Sequence, residues 1–349
     1  MSKLSACLIV KNEEKTLALT LPVLSAGVDE VILVDTGSTD GTVALAEKHG
    51  AQVYHFPWIK DFAAARNESL KHATGDWVLW VDADEFIKTE DLAELRRLLE
   101  TAEADAYTVT MYTSGFGQCE RRQNYPRVKV FRNGRGAHFV RPINEQLVDA
   151  AGKVLYGPAV PIAIYHWGKD LAAEKIAAKW ERNVDLYSQA AAENPADPYY
   201  PFLLGHTLTD MDKLAEAIEQ YRKVVALTKD EAVVRPSREK IAQHLLRLGK
   251  FREALDAARE LLERDEYNVP AHNIFAAVCL MQKNADKAIE ILSEVIGRDC
   301  AAAAESPYQC LSLPQVLLGK AYEQKGEQAK ADACFRRARE LYPYSGGQN

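Results

Sequence analysis

Nothing in this chain approaches the unbroken apolar run of about 20 residues that a membrane-spanning helix needs, and no two cysteines stand in C-x-x-C spacing. The first absence excludes a helical membrane span. The second argues against a thiolate metal site or a redox pair. Cysteine is also scattered, at Cys7, Cys119, Cys279, Cys300, Cys310 and Cys334, mostly among apolar neighbours. That placement suits buried thiols in a reducing compartment. The N-terminus has no signal-peptide cleavage pattern and enters a candidate strand almost at once, so a cytoplasmic location is expected. A positive charge excess is missing too. Lys and Arg number 43 against 50 Asp and Glu, a net charge of −7. With no nucleic-acid recognition motif, this leaves no basis for a nucleic-acid partner or an acidic membrane surface. What is present, 349 residues at 47 % hydrophobic content, is enough for two ordinary globular domains.

Two grammars divide the chain. From Leu4 to about Trp167, short β-rich runs alternate with helical patterns. Strands are expected at Leu4–Val10, Glu30–Val34, Gln52–His55 and Trp77–Val81, and helices at Glu13–Ala26, Thr42–Gly50, Asp61–Ala73 and Asp91–Ala102. This alternation predicts an α/β domain with a mostly parallel sheet covered by helices. Ligands on such sheets bind beyond the carboxyl ends of the strands. Lys11-Asn12-Glu13, Asp35 and Asp82-Ala83-Asp84 each follow a strand, so they are expected along one rim. If residues 82–84 are extended, alternate side chains point the same way, and both carboxylates face one point. Two hard oxygen ligands there suit Mg²⁺ or Mn²⁺ holding a diphosphate. An acidic turn closing a strand is the plainer alternative.

From about Leu171 the pattern is all-helical, and comparable segments recur. The alanines Ala217, Ala254, Ala288 and Ala331 stand 37, 34 and 43 residues apart. These segments resemble tetratricopeptide repeats, helix pairs of about 34 residues with small residues where the helices touch. The long last interval predicts an insertion around Cys300–Ser312. The expected organisation is the α/β domain over 1–170, a linking helix over 171–198 and a repeat domain over 199–349. Such arrays offer concave binding surfaces; a structural cap or a homo-oligomer interface is the other use open to them.

Four stretches, Ala6-Cys7-Leu8-Ile9-Val10-Lys11-Asn12-Glu13-Glu14, Val34-Asp35-Thr36-Gly37-Ser38-Thr39-Asp40-Gly41, Ala65-Arg66-Asn67 and Trp80-Val81-Asp82-Ala83-Asp84-Glu85, together resemble family-two glycosyltransferases of the GT-A fold. Members of this branch that carry tetratricopeptide repeats are similar over nearly the whole chain. The resemblance implies inverting transfer from a nucleoside-diphosphate sugar, assisted by a divalent metal. It implies that Asp35 holds the nucleoside, with Lys11, Asn12 and Glu13 lining that pocket. Asp35 could instead cap the following turn, and Glu13 could be a helix-start carboxylate favoured by the dipole. Arg66 is expected to donate to nucleotide or phosphate, or to bridge a rim carboxylate; Asn67 is read as structural. Asp82 is expected at the ribose or the metal shell, and Asp84 on the metal.

Inversion needs a carboxylate opposite the leaving group to take the acceptor's proton. Glu145 is the candidate and Asp149 a lesser one. A His-Glu pair is common at this place in the branch, and here Asn144 replaces the histidine. His166 is implied as a third metal ligand, since an imidazole beside carboxylates suits Mn²⁺; packing in the core is its alternative role. Tyr165 or Trp167 could stack on the sugar or pack on the first repeat helix. Arg121, Arg122, Arg127, Lys129, Arg132, Arg135 and Arg141 form a strip free of acidic residues. That strip reads as a mobile cover for the diphosphate, a receiver for an anionic acceptor, or a solvated hairpin. The expected acceptor is a protein or peptide gripped by the repeats, or a lipid-linked or cell-envelope glycan. A catalytically silent GT-A platform for an interaction module is the alternative of a different class. A nucleotidyltransferase ranks third, because the loop after the first strand lacks the glycines and basic residues it would need.

Overall fold

The computed structural model describes residues 2–113, 123–166, 173–297 and 308–342. Arg121, Arg122, Trp167, Cys119 and Cys300 lie outside them. The chain divides into two units, Met1–Lys179 and Trp180–Asn349, and the division falls within a single helix, Ala173–Glu193.

In the first unit, β1 (Leu4–Val10), β2 (Glu30–Asp35), β3 (Gln52–His55) and β4 (Trp77–Trp80) alternate with α1 (Glu14–Gly27), α2 (Thr42–Lys48) and α3 (Phe62–His72). Then follow β5 (Glu85–Ile87), α4 (Thr89–Glu100), β6 (Ala106–Thr113), β7 (Gln123–Arg132), β8 (His138–Val140), β9 (Gln146–Val148) and β10 (Ala159–His166). Eight strands form one sheet in the order β3-β2-β1-β4-β7-β6-β10-β5, while β8 and β9 pair separately. Following the pairings outward from β1, only β7 and β5 run against the other strands. The sheet is therefore mostly parallel, as the βα alternation requires.

Strand alternation separates two apolar layers. Leu4, Ala6, Leu8, Leu33, Trp77 and Leu79 pack with Leu17 and Leu21 of α1 and Leu92 and Leu95 of α4 on one face. Cys7, Ile32, Val78 and Trp80 pack with Ala63 of α3 and Phe139 and Leu147 of the small β8–β9 ribbon on the other. Burial pushes the Cys7 thiol up to about 12, so it is an inert packing group. Helix α3 starts where Asp61 accepts the Ala64 N–H at 2.8 Å, a capping contact for an otherwise unpaired donor. The Asn67 amide exchanges two 2.8 Å hydrogen bonds with the Phe139 backbone, tying α3 to β8.

The basic strip is not uniformly solvated: Arg127 and Arg135 are exposed, whereas Lys129 is drawn into the sheet. Residues 123–132 form β7, an interior strand between β4 and β6, and Lys129 is fully buried. Its apolar partners Val130 and Phe131 belong to the two sheet layers, which pulls the segment inward.

In the second unit, four helix pairs follow in order. They are α6/α7 (Tyr199–Asp210, Leu214–Leu227), α8/α9 (Glu231–Arg247, Phe251–Leu262), α10/α11 (Val269–Met281, Ala285–Ser293) and α12/α13 (Leu313–Gln324, Gln328–Leu341), with α5 the Ala173–Glu193 helix before them. Ala217, Ala254, Ala288 and Ala331 are all 0 % exposed. Twelve residues before each stands Gly205, Ala242, Ala276 or Gly319. A Cβ on Gly205 would lie 2.8 Å from the Tyr221 ring, and one on Gly319 2.6 Å from Phe335, so the paired helices approach too closely for a larger residue. Each pair turns through a left-handed residue, namely Asp212, Gly249, Lys283 or Gly326, a common helix termination. A π-helical turn, Tyr308–Ser312, precedes α12 within the long interval. Among the described residues no helix is long and apolar enough to cross a membrane.

His244 of α8 is buried, with Nε2 2.8 Å from the Thr209 hydroxyl of α6 and Nδ1 without a partner. Burial, helped by Lys240 and Arg247, holds its pKa down at about 4 against an ordinary 6.5. The unfolded chain therefore takes up this proton first. Stability is full above pH 6.5 and falls as pH drops from 6.5 toward 4. We expect the urea midpoint of the wild type to drop between pH 7 and pH 5, and His244→Gln to show a shallower drop. An equal drop in both would refute this assignment.

Candidate functional site

The site forms where the parallel strands end. The register aligns Val10 with Asp35 and Asp35 with His55, so the loops after β1, β2 and β3 share one rim. Asn12 takes a left-handed backbone, φ 57°, which asparagine tolerates better than most residues. Its N–H donates to the Ser38 hydroxyl at 2.9 Å, and its side-chain oxygen accepts the Thr39 N–H at 2.7 Å. The two loops are thus stitched together. Asp35 is 4 % exposed and accepts the N–H groups of Gly37 and Ser38 at 3.2 and 3.1 Å. His55 Nδ1 stands 3.4 Å from the same carboxylate. The turn-capping role weighed for Asp35 is therefore realised, with His55 at its open side. The Glu13 carboxylate accepts the Thr16 hydroxyl at 2.7 Å, inside the first turn of α1. Lys11 is exposed.

Beyond β4 the chain does not stay extended. The Glu85 N–H bonds the Asp82 carbonyl at 3.0 Å, closing a turn through Ala83 and Asp84. The extended backbone assumed for residues 82–84 is thus replaced by a turn, and each carboxylate has its own partner. The Asp82 carboxylate accepts from Arg66 Nη2 at 2.6 Å, whereas Asp84 meets His166 Nε2 at 3.1 Å. Among the described residues no group of three metal-ligating side chains comes together.

Arg66 is the hub. It is buried, held inward by its place on α3, with its guanidinium 4.5 Å from the centre of the Trp80 ring. Its Nε donates to Glu145 at 2.5 Å while Nη2 holds Asp82. One side chain thus bridges the D-x-D motif and the candidate base, 16 and 79 residues away in sequence. Burial pushes the Asp82 carboxyl up, but the charges of Arg66 and Lys129 outweigh it and hold it well below the usual range. Burial likewise opposes the charge on Arg66, and the two carboxylates overcome it. Glu145 follows a turn containing left-handed Arg141 and Asn144, a conformation easier for asparagine than for most residues. Asp149 accepts the N–H groups of Ala151 and Lys153, each at 2.9 Å, and so braces its own turn.

The pairing of two residues already named, Lys129 and Glu85, escaped sequence reasoning. Lys129 Nζ donates to both oxygens of Glu85, at 2.8 and 2.6 Å, and lies 3.4 Å from the Trp80 ring centre. Glu85 in turn accepts the Asp82 N–H at 2.9 Å. The available signal was a lysine in the apolar run Val128-Lys129-Val130-Phe131.

Asp84 and His166 offer a carboxylate oxygen and an imidazole nitrogen with 35 % and 24 % side-chain exposure. Two partly open ligands of this type fit Mg²⁺ or Mn²⁺, which keep positions for substrate phosphate. The Asp84 contact raises the His166 pKa while burial opposes it. Tyr165 stacks with Tyr112, ring centres 5.4 Å apart, a packing role within the sheet.

Residues 5–148 match glycosyl transferase family 2. Residues 202–231, 240–307 and 315–344 match tetratricopeptide repeats. The chain is 33 % identical over 268 residues to a TPR repeat-containing protein of Synechococcus elongatus, covering 74 % of this chain and 64 % of that one. It is 26 % identical over 226 residues to the SPbeta prophage-derived glycosyltransferase SunS of Bacillus subtilis, covering 62 % and 52 %. An uncharacterized glycosyltransferase of Rickettsia conorii is 35 % identical over 211 residues, covering 55 % and 70 %. The chain thus spans between about half and two thirds of the length of the first two curated relatives. These matches place the chain in glycosyl transferase family 2, in a form that carries C-terminal tetratricopeptide repeats.

Proposed function

We propose that the chain is an inverting glycosyltransferase that takes its sugar from a nucleoside-diphosphate sugar. The observation that carries this reading is the Arg66 bridge between Asp82 and Glu145, which sets the candidate base beside the donor motif. In the proposed step the acceptor's nucleophile loses its proton to Glu145 and forms the new bond to the sugar's C1. The bond from C1 to the diphosphate breaks, its electron pair leaving with the nucleoside diphosphate. Attack from the face opposite the leaving group inverts C1. Asp35, with Lys11, Asn12 and Glu13 nearby on the rim, holds the nucleoside, and Asp82 meets the ribose side. Arg66, between Asp82 and Glu145, is the candidate donor to the nucleotide or its phosphates. A divalent cation held by Asp84 and His166 would supply positive charge against the departing phosphates.

The acceptor we favour is a protein or peptide, because the repeats offer a binding surface in the same chain. Retention of Asp35, Asp82, Asp84 and Glu145 speaks against a silent platform. In Asp84→Asn we expect an unchanged unfolding midpoint and donor-nucleotide affinity that no longer responds to Mn²⁺ in calorimetry. A Mn²⁺ response equal to the wild type would remove Asp84 from the metal site.

A further inference from the structure

A charged side chain buried in a sheet interior is costly unless something fixes it there. Lys129 is such a side chain, 0 % exposed, on an interior strand. The β6–β7 register pairs Tyr107 with Val130 and then Thr108 with Val128. Lys129 is therefore the extra residue of a β-bulge. Bulges re-aim side chains, commonly beside active sites, and this one sends Nζ to both oxygens of Glu85.

Glu85 opens β5, a three-residue edge strand paired antiparallel to β10 with Glu85 opposite His166 and Ile87 opposite Ile164. So short a strand holds its register weakly by itself. Asp84, next to Glu85, reaches His166 Nε2 only while that register is kept. Lys129 also lies 4.0 Å from Asp82 Oδ2, and Glu85 accepts the Asp82 N–H. The clamp therefore touches both ends of the Asp82–Glu85 turn.

We propose that Lys129 and Glu85 form a positioning pair that fixes β5 in the register at which Asp84 meets His166. Both side chains are buried, and the pair acts through the turn it grips. This inference rests on the reading of Asp84 and His166 as the cation ligands.

The test uses the full chain and Mn²⁺ alone, followed by electron paramagnetic resonance, with thermal unfolding measured in parallel. Groups that orient metal ligands typically matter by about 10–100-fold in affinity. Lys129→Met should weaken Mn²⁺ binding by about that factor. That variant also strands the Glu85 carboxylate, so the double variant Lys129→Met with Glu85→Gln separates folding from positioning. It carries no buried charge at the pair and should unfold near the wild-type temperature, yet still bind Mn²⁺ at least about 10-fold more weakly. Recovery of both stability and Mn²⁺ affinity in the double variant would reduce the pair to a structural role and overturn the proposal. Wild-type Mn²⁺ binding that is lost in Asp84→Asn but intact in Lys129→Met would overturn the pair alone. Absence of Mn²⁺ binding in the wild type, or its survival in Asp84→Asn, would overturn the cation-site reading and the pair with it.

Discussion

Replacing Glu145 by glutamine is expected to leave donor binding intact and to lower kcat by about 10²–10⁴-fold, the usual contribution of a positioned general base. Glutamine keeps the shape and an oxygen to accept from Arg66 Nε, which lies 2.5 Å from Glu145 Oε1. The loss would therefore report the proton acceptor and not a collapsed site. In pre-steady-state measurements the defect should appear in the transfer step, with KM for the donor nearly unchanged. Normal turnover in this variant would move the base elsewhere. Asp149 is then a weak successor, because its carboxylate already braces a turn through Ala151 and Lys153.

Arg66→Ala is expected to have the largest effect on stability. It leaves the Asp82 and Glu145 carboxylates side by side without the guanidinium that joins them. Breaking a buried pair by removing one partner typically costs about 3–5 kcal/mol. The urea midpoint should fall accordingly, with the slope of the transition unchanged. The pH dependence carries a second signature. Asp82 is depressed in the folded wild type, so its contribution is present above the unfolded value of about 3.9. That contribution is lost as pH falls through the lower folded value. The gap between wild type and Arg66→Ala should therefore narrow in acid. A variant of wild-type stability at pH 7 would show that the bridge contributes nothing. Arg66→Lys should fail to restore activity, because one ammonium cannot reproduce the planar fork that serves two carboxylates.

The first four strands and four helices of the first unit were legible because their signals are local. Strand β3 lies at the residues expected, and α3 departs from Asp61–Ala73 only by assigning its first and last residues as caps. The repeats were legible through small residues alone, since Ala217, Ala254, Ala288 and Ala331 are wholly buried. The parallel set Gly205, Ala242, Ala276 and Gly319 has the same intervals and was equally readable once the first set was aligned.

Other features depended on pairings distant in sequence. Strand β5 has three residues and exists by pairing with β10, some 80 positions onward; three residues carry no periodicity. The turn that separates Asp82 from Asp84 is closed by a backbone bond that an alternating-residue argument does not anticipate. Lys129 seemed part of a solvated basic strip because composition treats all cations alike. Only the β7 position between β4 and β6 makes it interior, and only Glu85 makes it tolerable there. Among the candidate residues, Arg66 meets both Asp82 and Glu145, and Asp84 meets His166. How they divide into a trio and a pair is a property of the fold.

The central claim is that the rim of β1, β2 and β4 binds a nucleoside diphosphate. Calorimetric titration of the wild-type chain with a panel of nucleoside diphosphates and their sugar conjugates, with and without Mn²⁺, tests it most directly. The account predicts that one base is bound in preference, more tightly with Mn²⁺, and that Asp35→Ala weakens it. Absence of binding across the panel, with and without the metal, would contradict the account and leave the repeats as the working part of the chain.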